Sequence, residues 1–465
     1  MREALLVCWP LLLGIGLMML GNGLQGSLLG VRATLEGFPT AVTGLIMSGY
    51  YVGFLIGSVV TPKILENVGH VRVFAALASL ASTAALLHAL IPDPYTWGIV
   101  RIVTGFCFAG LYIVSESWLN DTATNETRGG ILSIYMMVTF GGIAGGQFLL
   151  TAFDPSGFEL FIVVSVLVSL ALIPSALTAS PMPSMEQPEK LELKKLYRIS
   201  PLGVVGMAVI GTIQGGFFAM ASVYGGMIGL SLLEISTFIG LSVIGGAIMQ
   251  YPIGYISDKV DRRRVIVFAA ALAGATALFV YQCEGMENRL WFMVSATFFG
   301  GFCMPLYSLF IAHTNDYLKP GQMVAASSGL ILVNGFGAIL GPVLVSGLMS
   351  LFGFASFFLC MAAACFGLAA YTLVRMTIRQ AIPVEEQVDF VAMPVRSGYV
   401  AVNMNPESEE WEEEEEPKAE EFKPQDLYHV SKAFMSLMAD NHSDDDDEDE
   451  EGLMDDGPTL WNRNG

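Results

Sequence analysis

Ionisable side chains are scarce inside the long apolar runs of this sequence, and two of them, Arg101 and Glu116, lie in one run. A charge in an apolar environment is costly, so such residues are candidates for binding or proton movement. Arg101 could bind an anionic group or perturb a nearby proton site, or it could reach the aqueous interface. We expect Glu116 to pair with Arg72 or Arg128 in a charge network that locks one conformation, although its carboxyl could also carry a proton.

Polar residues also recur within the apolar runs. Asn22, Gln25 and Arg32 fall within an arc of about 80° on a helix, and such a face should point at a cavity or another helix because it cannot face lipid. Interhelical hydrogen bonding is the alternative for each polar residue. The candidate cavity residues are Asn22, Gln25, Arg32, Tyr112, Gln147, Gln214, Gln250, Tyr307 and Asn334.

Twelve runs approach the roughly 20 apolar residues that a membrane-crossing helix needs. Only 14% of the residues are charged, against about a quarter in a soluble domain. The sequence therefore predicts an all-α membrane protein with twelve transmembrane helices. The predicted spans are 5–30, 40–61, 72–91, 95–119, 130–152, 158–178, 200–227, 234–256, 265–283, 289–313, 322–349 and 352–375.

Charge divides the chain into two parts. Residues 1–380 hold 18 basic and 18 acidic residues, whereas residues 381–465 hold 5 basic and 25 acidic residues, which accounts for the net charge of −20. A segment with high net charge and few apolar residues cannot form a core, so we expect 381–465 to be mostly disordered. The segment is either a solvated tail or a docking site for a basic protein partner.

Basic residues also predict the orientation. With the N-terminus inside, the inner segments hold fifteen Lys and Arg residues of the body and the outer half holds three, Arg32, Arg101 and Arg289. Positive charge is enriched on the cytoplasmic side of membrane proteins. We therefore expect a multi-pass protein of the inner (plasma) membrane with both termini in the cytoplasm.

The two halves of the body resemble each other at an offset of about 190 to 197 residues. Gln25-Gly recurs as Gln214-Gly, and Leu-Tyr112 recurs as Leu-Tyr307. Parallel repeats with a binding site between them are typical of transporters. We predict two pseudo-symmetric six-helix halves at 1–178 and 200–380, a cytoplasmic linker at 179–199 and the tail at 381–465.

The loop after the eighth predicted span carries the most specific motif, Gly254-Tyr-Ile-Ser-Asp258-Lys259-Val-Asp-Arg262. This motif, together with Arg101-x-x-x-Gly105, resembles the major facilitator superfamily over residues 1–380. The resemblance implies a transporter fold and a gate role for the motif. The candidate coupling and gate residues are Arg72, Arg101, Glu116, Arg128, Asp258, Lys259 and Arg262.

Two features depart from the family pattern. Thr61 stands where the first copy of the loop motif should have an aspartate, and a Gly-Pro pair lies at 341–342 in the eleventh span rather than in the fifth. The phrases Gly53-Phe-Leu-Ile-Gly57 and Glu116-Ser-Trp-Leu-Asn120 are most similar to the YcaD-like branch, whose members are bacterial transporters.

We therefore expect a secondary transporter of a small solute, driven by an ion gradient, with protons as the expected ion, and acting as a monomer. The sequence contains no nucleotide-binding motif, metal cluster or nucleophile–base arrangement, so we expect no enzyme activity, no cofactor and no nucleic-acid partner. A transporter-like sensor or scaffold whose acidic tail binds a partner is the alternative, and a channel is a further one. Substrate, import or export, and symport or antiport stay open.

Overall fold

The computed structural model describes residues 2–124, 127–177, 192–286, 288–318 and 322–393. Within these ranges the regular structure is helical. The α-helices are α1 (Arg2–Leu35), α2 (Thr40–Val68), α3 (His70–Leu90), α4 (Pro94–Thr122), α5 (Arg128–Phe148), α6 (Glu159–Leu177), α7 (Leu193–Ile199), α8 (Pro201–Met227), α9 (Leu232–Ser257), α10 (Arg262–Cys283), α11 (Leu290–Cys303), α12 (Pro305–Asn315), α13 (Met323–Phe352) and α14 (Ser356–Ile378).

Eleven helical stretches in the described ranges are long and apolar enough to cross a membrane. One of them, Leu290–Asn315, combines α11 and α12, which are separated next to Pro305 because proline lacks the N–H that would continue the helix. The apolar part of α6 is shorter, Glu159–Pro174. The prediction of an all-helical membrane protein is confirmed, with eleven spans at eleven of the twelve predicted runs and α6 at the twelfth.

Local sequence explains where several helices begin and end. At the start of α4 the carboxylate of Asp93 accepts a hydrogen bond from the amide of Thr96 at 2.8 Å, which satisfies one of the donors at the helix start. Gly69, between α2 and α3, has a φ of 90°, and Gly353, between α13 and α14, has a φ of 83°. Only glycine adopts these angles without strain, so both turns depend on it.

Glycines let α2 cross α4, and α9 cross α11, at very short range. A Cβ added to Gly53 would lie 1.8 Å from the carbonyl oxygen of Ile102, and one added to Gly245 would lie 2.2 Å from that of Thr297. Small residues are the usual means of close packing between membrane helices.

The same device joins α1 to α5 and α8 to α13. A Cβ on Gly146 would lie 2.4 Å from the carbonyl oxygen of Leu20, and one on Gly341 would lie 2.3 Å from that of Thr212. Both kinds of crossing therefore occur twice, once in residues 2–177 and once in residues 201–378, at positions that the sequence repeat relates.

The predicted linker and tail are described only in part. Residues 192–199 contain α7, whose Leu196 is buried. Residues 178–191, which include the first part of the linker, and residues 394–465 of the tail lie outside the described residues.

The bundle has a basic end and an opposite end. The basic end is where α2, α4, α9 and α12 finish, and it carries Arg128, Lys259 and Arg262. The opposite end is where α1, α3, α5 and α8 finish, and it includes Arg32.

Candidate functional site

A cluster of polar side chains joins α1, α2 and α4. The side-chain amide of Asn22 donates to the hydroxyl of Tyr112 at 3.1 Å and lies 3.4 Å from that of Tyr50. The guanidinium of Arg101 lies 4.6 Å from the centre of the Tyr50 ring, a distance at which a cation is attracted to an aromatic face. All four side chains are buried, so the predicted residues Asn22, Tyr112 and Arg101 come together through a tyrosine that the sequence argument did not select.

Gln25 and Gln147, both predicted as cavity residues, have different surroundings. Gln25 is 1% exposed, and neither its amide nitrogen nor its amide oxygen has a hydrogen-bond partner among the described residues. Gln147 instead donates to the backbone carbonyl of Gly23 at 3.0 Å and accepts from the hydroxyl of Ser27. The structure therefore uses Gln147 to tie α5 to α1 and leaves Gln25 able to bind another polar group.

A small cavity of about 50 Å³ lies between α2, α8, α12 and α13, in the middle of the bundle. Three predicted cavity residues, Gln214, Tyr307 and Asn334, line it together with Tyr50 and Tyr51. The carbonyl oxygen of the Gln214 amide has no hydrogen-bond partner among the described residues. This volume is far below the roughly 300 to 1,000 Å³ of a typical small-molecule site, so a solute would need the helices to separate here.

A much larger cavity, of about 780 Å³, opens between the basic-end halves of α5 and α9. Its walls are mostly apolar, and Gln250 is buried there with both polar atoms of its amide unpartnered among the described residues. A mostly apolar cavity of this size with a few polar groups is typical of small-molecule sites. The lining residues are Gly129, Leu132, Ser133, Met136, Met137, Phe140, Ala247, Ile248, Gln250, Tyr251, Gly254, Tyr255, Asp258, Phe390, Val391 and Ala392.

At the opposite end the helices of residues 2–177 press directly against those of residues 201–378. A Cβ on Gly44 of α2 would lie 1.9 Å from the Oγ of Ser346 on α13, and one on Gly30 of α1 would lie 2.1 Å from the Oγ of Ser222 on α8. The hydroxyl of Ser48 donates to the carbonyl of Ile339 at 2.7 Å. The bundle is thus closed at the opposite end and hollow at the basic end.

Glu116 is completely buried in α4, where its carboxylate accepts a hydrogen bond from the hydroxyl of Tyr135 at 2.7 Å. The sequence predicts Arg72 or Arg128 as its partner. The side chain of Arg72 is exposed at the start of α3, whereas Glu116 is fully buried. Arg128 is the first residue of α5 and is half-buried.

The loop motif forms a compact charge cluster around Arg262, which is 1% exposed. Its guanidinium donates to Asp258 at 3.0 Å, to Asp316 at 2.5 Å and to the carbonyl of Val388 at 2.6 Å. Its Nε donates to the hydroxyl of Ser257 at 3.1 Å. Burial raises the pKa of Asp316 to about 6 although Arg262 acts to lower it, and burial also raises the pKa of Asp258. Arg262 thus connects the ends of α9 and α12 with the start of α10.

Two predicted residues lie apart from these clusters. Arg32 pairs with Glu36 at 2.7 Å at the opposite end, and it donates to the backbone carbonyls of 155–157 rather than facing a cavity with Asn22. Lys259 lies with its ammonium 4.0 Å from the centre of the Tyr255 ring, exposed at the basic end. The structure therefore gives Arg32 a loop-anchoring contact and places Lys259 at the surface.

Sequence reasoning missed Asp316 and the chain segment after α14. Asp316 was visible as the repeat partner of Asp121, which could have pointed to it. The segment that contains Val388 and Phe390 follows the last apolar run and has no periodic pattern, so nothing in the sequence linked it to the loop motif.

Paired glycine crossings, closure at one end and a mostly apolar cavity with a few polar groups at the other fit a helical membrane transporter. A sequence model of the Major Facilitator Superfamily matches residues 11–295 and 228–402. The chain therefore belongs to the major facilitator superfamily, as the motifs predicted.

Within this family the chain is similar to the MFS-type transporter YcaD. The protein of that name from Escherichia fergusonii is 27% identical over 345 residues, which cover 73% of this chain and 88% of the relative. YcaD of Escherichia coli K12 is 25% identical over 347 residues, 74% of this chain and 88% of the relative. The predicted YcaD-like branch is confirmed.

Solved structures show the same fold at low identity. The nucleoside transporter NupG superposes with a TM-score of 0.68 at 13% identity, covering 80% of this chain and 100% of that one. A bacterial homologue of the human lysosomal transporter Spinster superposes with a TM-score of 0.60 at 13% identity, covering 85% of this chain and 96% of that one.

Proposed function

We propose that this chain is a secondary active transporter that moves a small solute across the plasma membrane by alternating access, as a monomer. The difference between the two ends of the bundle carries the proposal. Gly30, Gly44 and Ser48 hold the opposite end closed, whereas α5 and α9 stand apart around a cavity of about 780 Å³ at the basic end. A carrier exposes its site to one side at a time, so the second state would break the first set of contacts and close this cavity.

The proposed topology has twelve crossings, with α6 as the sixth and α11 and α12 together as the tenth. The two halves span 1–178 and 200–380, joined by the linker 179–199 and followed by the acidic tail 381–465. Basic residues are enriched on the cytoplasmic side of membranes, which supports placing the basic end and both termini in the cytoplasm. The described conformation would then be inward-facing.

The polar groups of the cavities support a modestly polar or amphipathic solute. Gln214, Tyr307 and Asn334 line the small cavity and Gln250 lines the large one, and apolar side chains surround all four. Such groups fix the orientation of a solute through hydrogen bonds, and the apolar walls contribute affinity.

We further propose that protons drive the transport. Glu116 is a buried carboxyl in a membrane-spanning helix, and such a group is a natural site for a proton that is taken up and released. Its hydrogen bond from Tyr135 joins α4 to α5, and α5 is a wall of the basic-end cavity. A change of charge at Glu116 would therefore act on α5, which has to move when the basic-end cavity closes.

The proposal is tested with the purified full-length chain. A thermal-shift screen against metabolites and drugs selects solutes that stabilise it, and labelled forms of these are then offered to proteoliposomes that hold a pH gradient. We expect uptake that disappears when the gradient is collapsed, and weaker uptake by vesicles that carry Gln214→Leu. Uptake that ignores the gradient would eliminate proton coupling, and single-channel steps in a planar bilayer would identify a channel instead of a carrier.

A further inference from the structure

The chain does not leave the bundle where α14 ends. The guanidinium of Arg379 donates to the carbonyl of Ile199 at 2.5 Å and lies 3.7 Å from the centre of the Tyr317 ring. Arg263 donates to the carbonyl of Arg379 at 2.7 Å. These contacts turn the chain back across the basic end, and the residues that follow, Val384–Met393, are called the strap.

Backbone hydrogen bonds hold the strap against the loop-motif cluster. The amide of Val388 donates to the carboxylate of Asp316 at 3.1 Å, and the amide of Phe390 donates to that of Asp258 at 2.9 Å. Arg262 donates to both carboxylates and to the carbonyl of Val388. Each carboxylate thus binds Arg262 and one strap amide, so the strap is bonded to the same groups that join α9, α10 and α12.

Side chains of the strap line the basic-end cavity. The ring of Phe390 lies so close to α9 that a Cβ on Gly254 would be 2.2 Å from its Cδ1. Val391 and Ala392 line the cavity beside it, and Met393 is 1% exposed, with its amide donating to the hydroxyl of Ser308 at 3.0 Å. The strap therefore packs against α9 and forms part of the wall of the cavity.

We propose that the strap is a gate at the basic-end cavity, with Phe390 as its plug and the Asp258–Arg262–Asp316 cluster as its latch. This inference rests on the proposed function, because it assigns the cavity to the transport route. Asp258 follows α9 and Asp316 follows α12. Movement of α9 against α10 and α12 would therefore separate the two carboxylates that accept from the amides of Phe390 and Val388. Conformational change and opening of the gate would in this way be linked through Arg262.

The gate is tested by the rate at which a thiol inside the cavity reacts with a hydrophilic maleimide. Met136, 7% exposed, lines the cavity on α5, so Met136→Cys is introduced into the full-length chain in lipid nanodiscs. Peptide mapping by mass spectrometry separates its labelling from that of the six native cysteines. We expect Phe390→Ala to raise the labelling rate about tenfold, because removal of this partly buried phenyl ring removes apolar contacts that hold the gate closed.

The matched control is Glu386→Ala, an exposed residue of the same strap that lines no described cavity, and it should leave the rate unchanged. Val388→Pro is a second full-length variant, for use if Phe390→Ala does not yield folded protein. It removes the amide that donates to Asp316, so it should also raise the labelling rate. Equal rates in wild type, Phe390→Ala and Val388→Pro would overturn the gate, and so would a slower rate in either variant. No solute is needed, so the gate can fail while transport succeeds, and transport can fail while the gate stands.

Discussion

Gly44→Ala should shift the bundle away from the conformation in which the opposite end is closed. The new methyl group would lie 1.9 Å from Oγ of Ser346, 2.4 Å from its Cβ and 2.7 Å from the carbonyl oxygen of Pro342. The last of these atoms belongs to the backbone of α13, so rotation of a side chain cannot relieve the overlap. Separation of α2 from α13 would relieve it, and alternating access requires that separation.

Overpacking of this kind costs about 1 to 3 kcal/mol. This cost falls on the conformation in which the opposite end is closed. It should therefore raise the population with that end open, relative to the closed population, by about 5- to 150-fold. A matched control exists in Gly26→Ala, because a Cβ at Gly26 meets nothing within 4 Å. Both changes replace a helical glycine by alanine, so they share the gain in helix propensity and differ in the overlap.

Labelling of a thiol at the closed end measures the shift. Ser222 is 2% exposed, so Ser222→Cys should react with a maleimide only when the opposite end opens, at a rate proportional to the open fraction. We expect the rate to rise by about 5- to 150-fold in Gly44→Ala, to stay unchanged in Gly26→Ala, and to fall partly back when Ser346→Gly is added. If folded Gly44→Ala labels no faster than the control, the overlap at Gly44 does not oppose closure of the opposite end.

Four further changes test single groups. Arg101→Ala should reduce gradient-driven uptake in proteoliposomes because it removes a buried cation from the polar cluster at Tyr50; full uptake would show that the charge has no part in binding or coupling. Glu116→Gln keeps the shape and loses the charge, so it should change the relative labelling of the two ends, and identical rates would show that the charge of Glu116 does not affect the balance between the two conformations. Gln214→Leu should abolish much of the thermal stabilisation by a selected solute, and unchanged stabilisation would move the site away from the small cavity. Folding raises the pKa of Asp316 from 3.8 to about 6. The folded state therefore binds more protons between these pH values, and its stability should fall as the pH rises through them. Thermal unfolding across pH 4 to 7 checks this, and Asp316→Asn should make the unfolding temperature less dependent on pH.

The membrane architecture was predictable because apolar runs of span length and the distribution of basic residues are visible in the sequence. The break between α11 and α12 was not, although Pro305 marks it, because proline kinks are tolerated inside a hydrophobic run. The many glycines indicate that some helices pack closely, but not which helices do so. Which glycine meets which carbonyl depends on helix register in space, as the contact of Gly53 with Ile102 illustrates.

The candidate site was predictable where the repeat supplied a second observation. Tyr307 was selected as the partner of Tyr112, and it lines the small cavity with Gln214 and Asn334. Helical angle alone was less informative. It grouped Arg32 with Asn22, yet Arg32 reaches the loop carbonyls because its long side chain follows the available acceptors at the end of α1.

The strap could not be predicted because its contacts join residues that are far apart in sequence. Phe390 bonds to Asp258 and Val388 to Asp316 through backbone amides, which carry no residue-specific signal. A segment of mixed composition after the last span is indistinguishable in sequence from the start of a disordered tail. The acceptors were partly visible, since Asp258 lies in the loop motif, but their partner was not.

Counterflow in proteoliposomes tests whether the chain carries solute by exposing one site alternately to the two sides of the membrane. Vesicles containing the full-length chain are loaded with an unlabelled solute chosen by thermal shift, all ion gradients are collapsed, and the labelled solute is added outside. Alternating access should produce transient accumulation of label above equilibrium, driven only by exit of the unlabelled solute. Entry of label that is indifferent to the internal solute, or no entry of any stabilising solute, would contradict it.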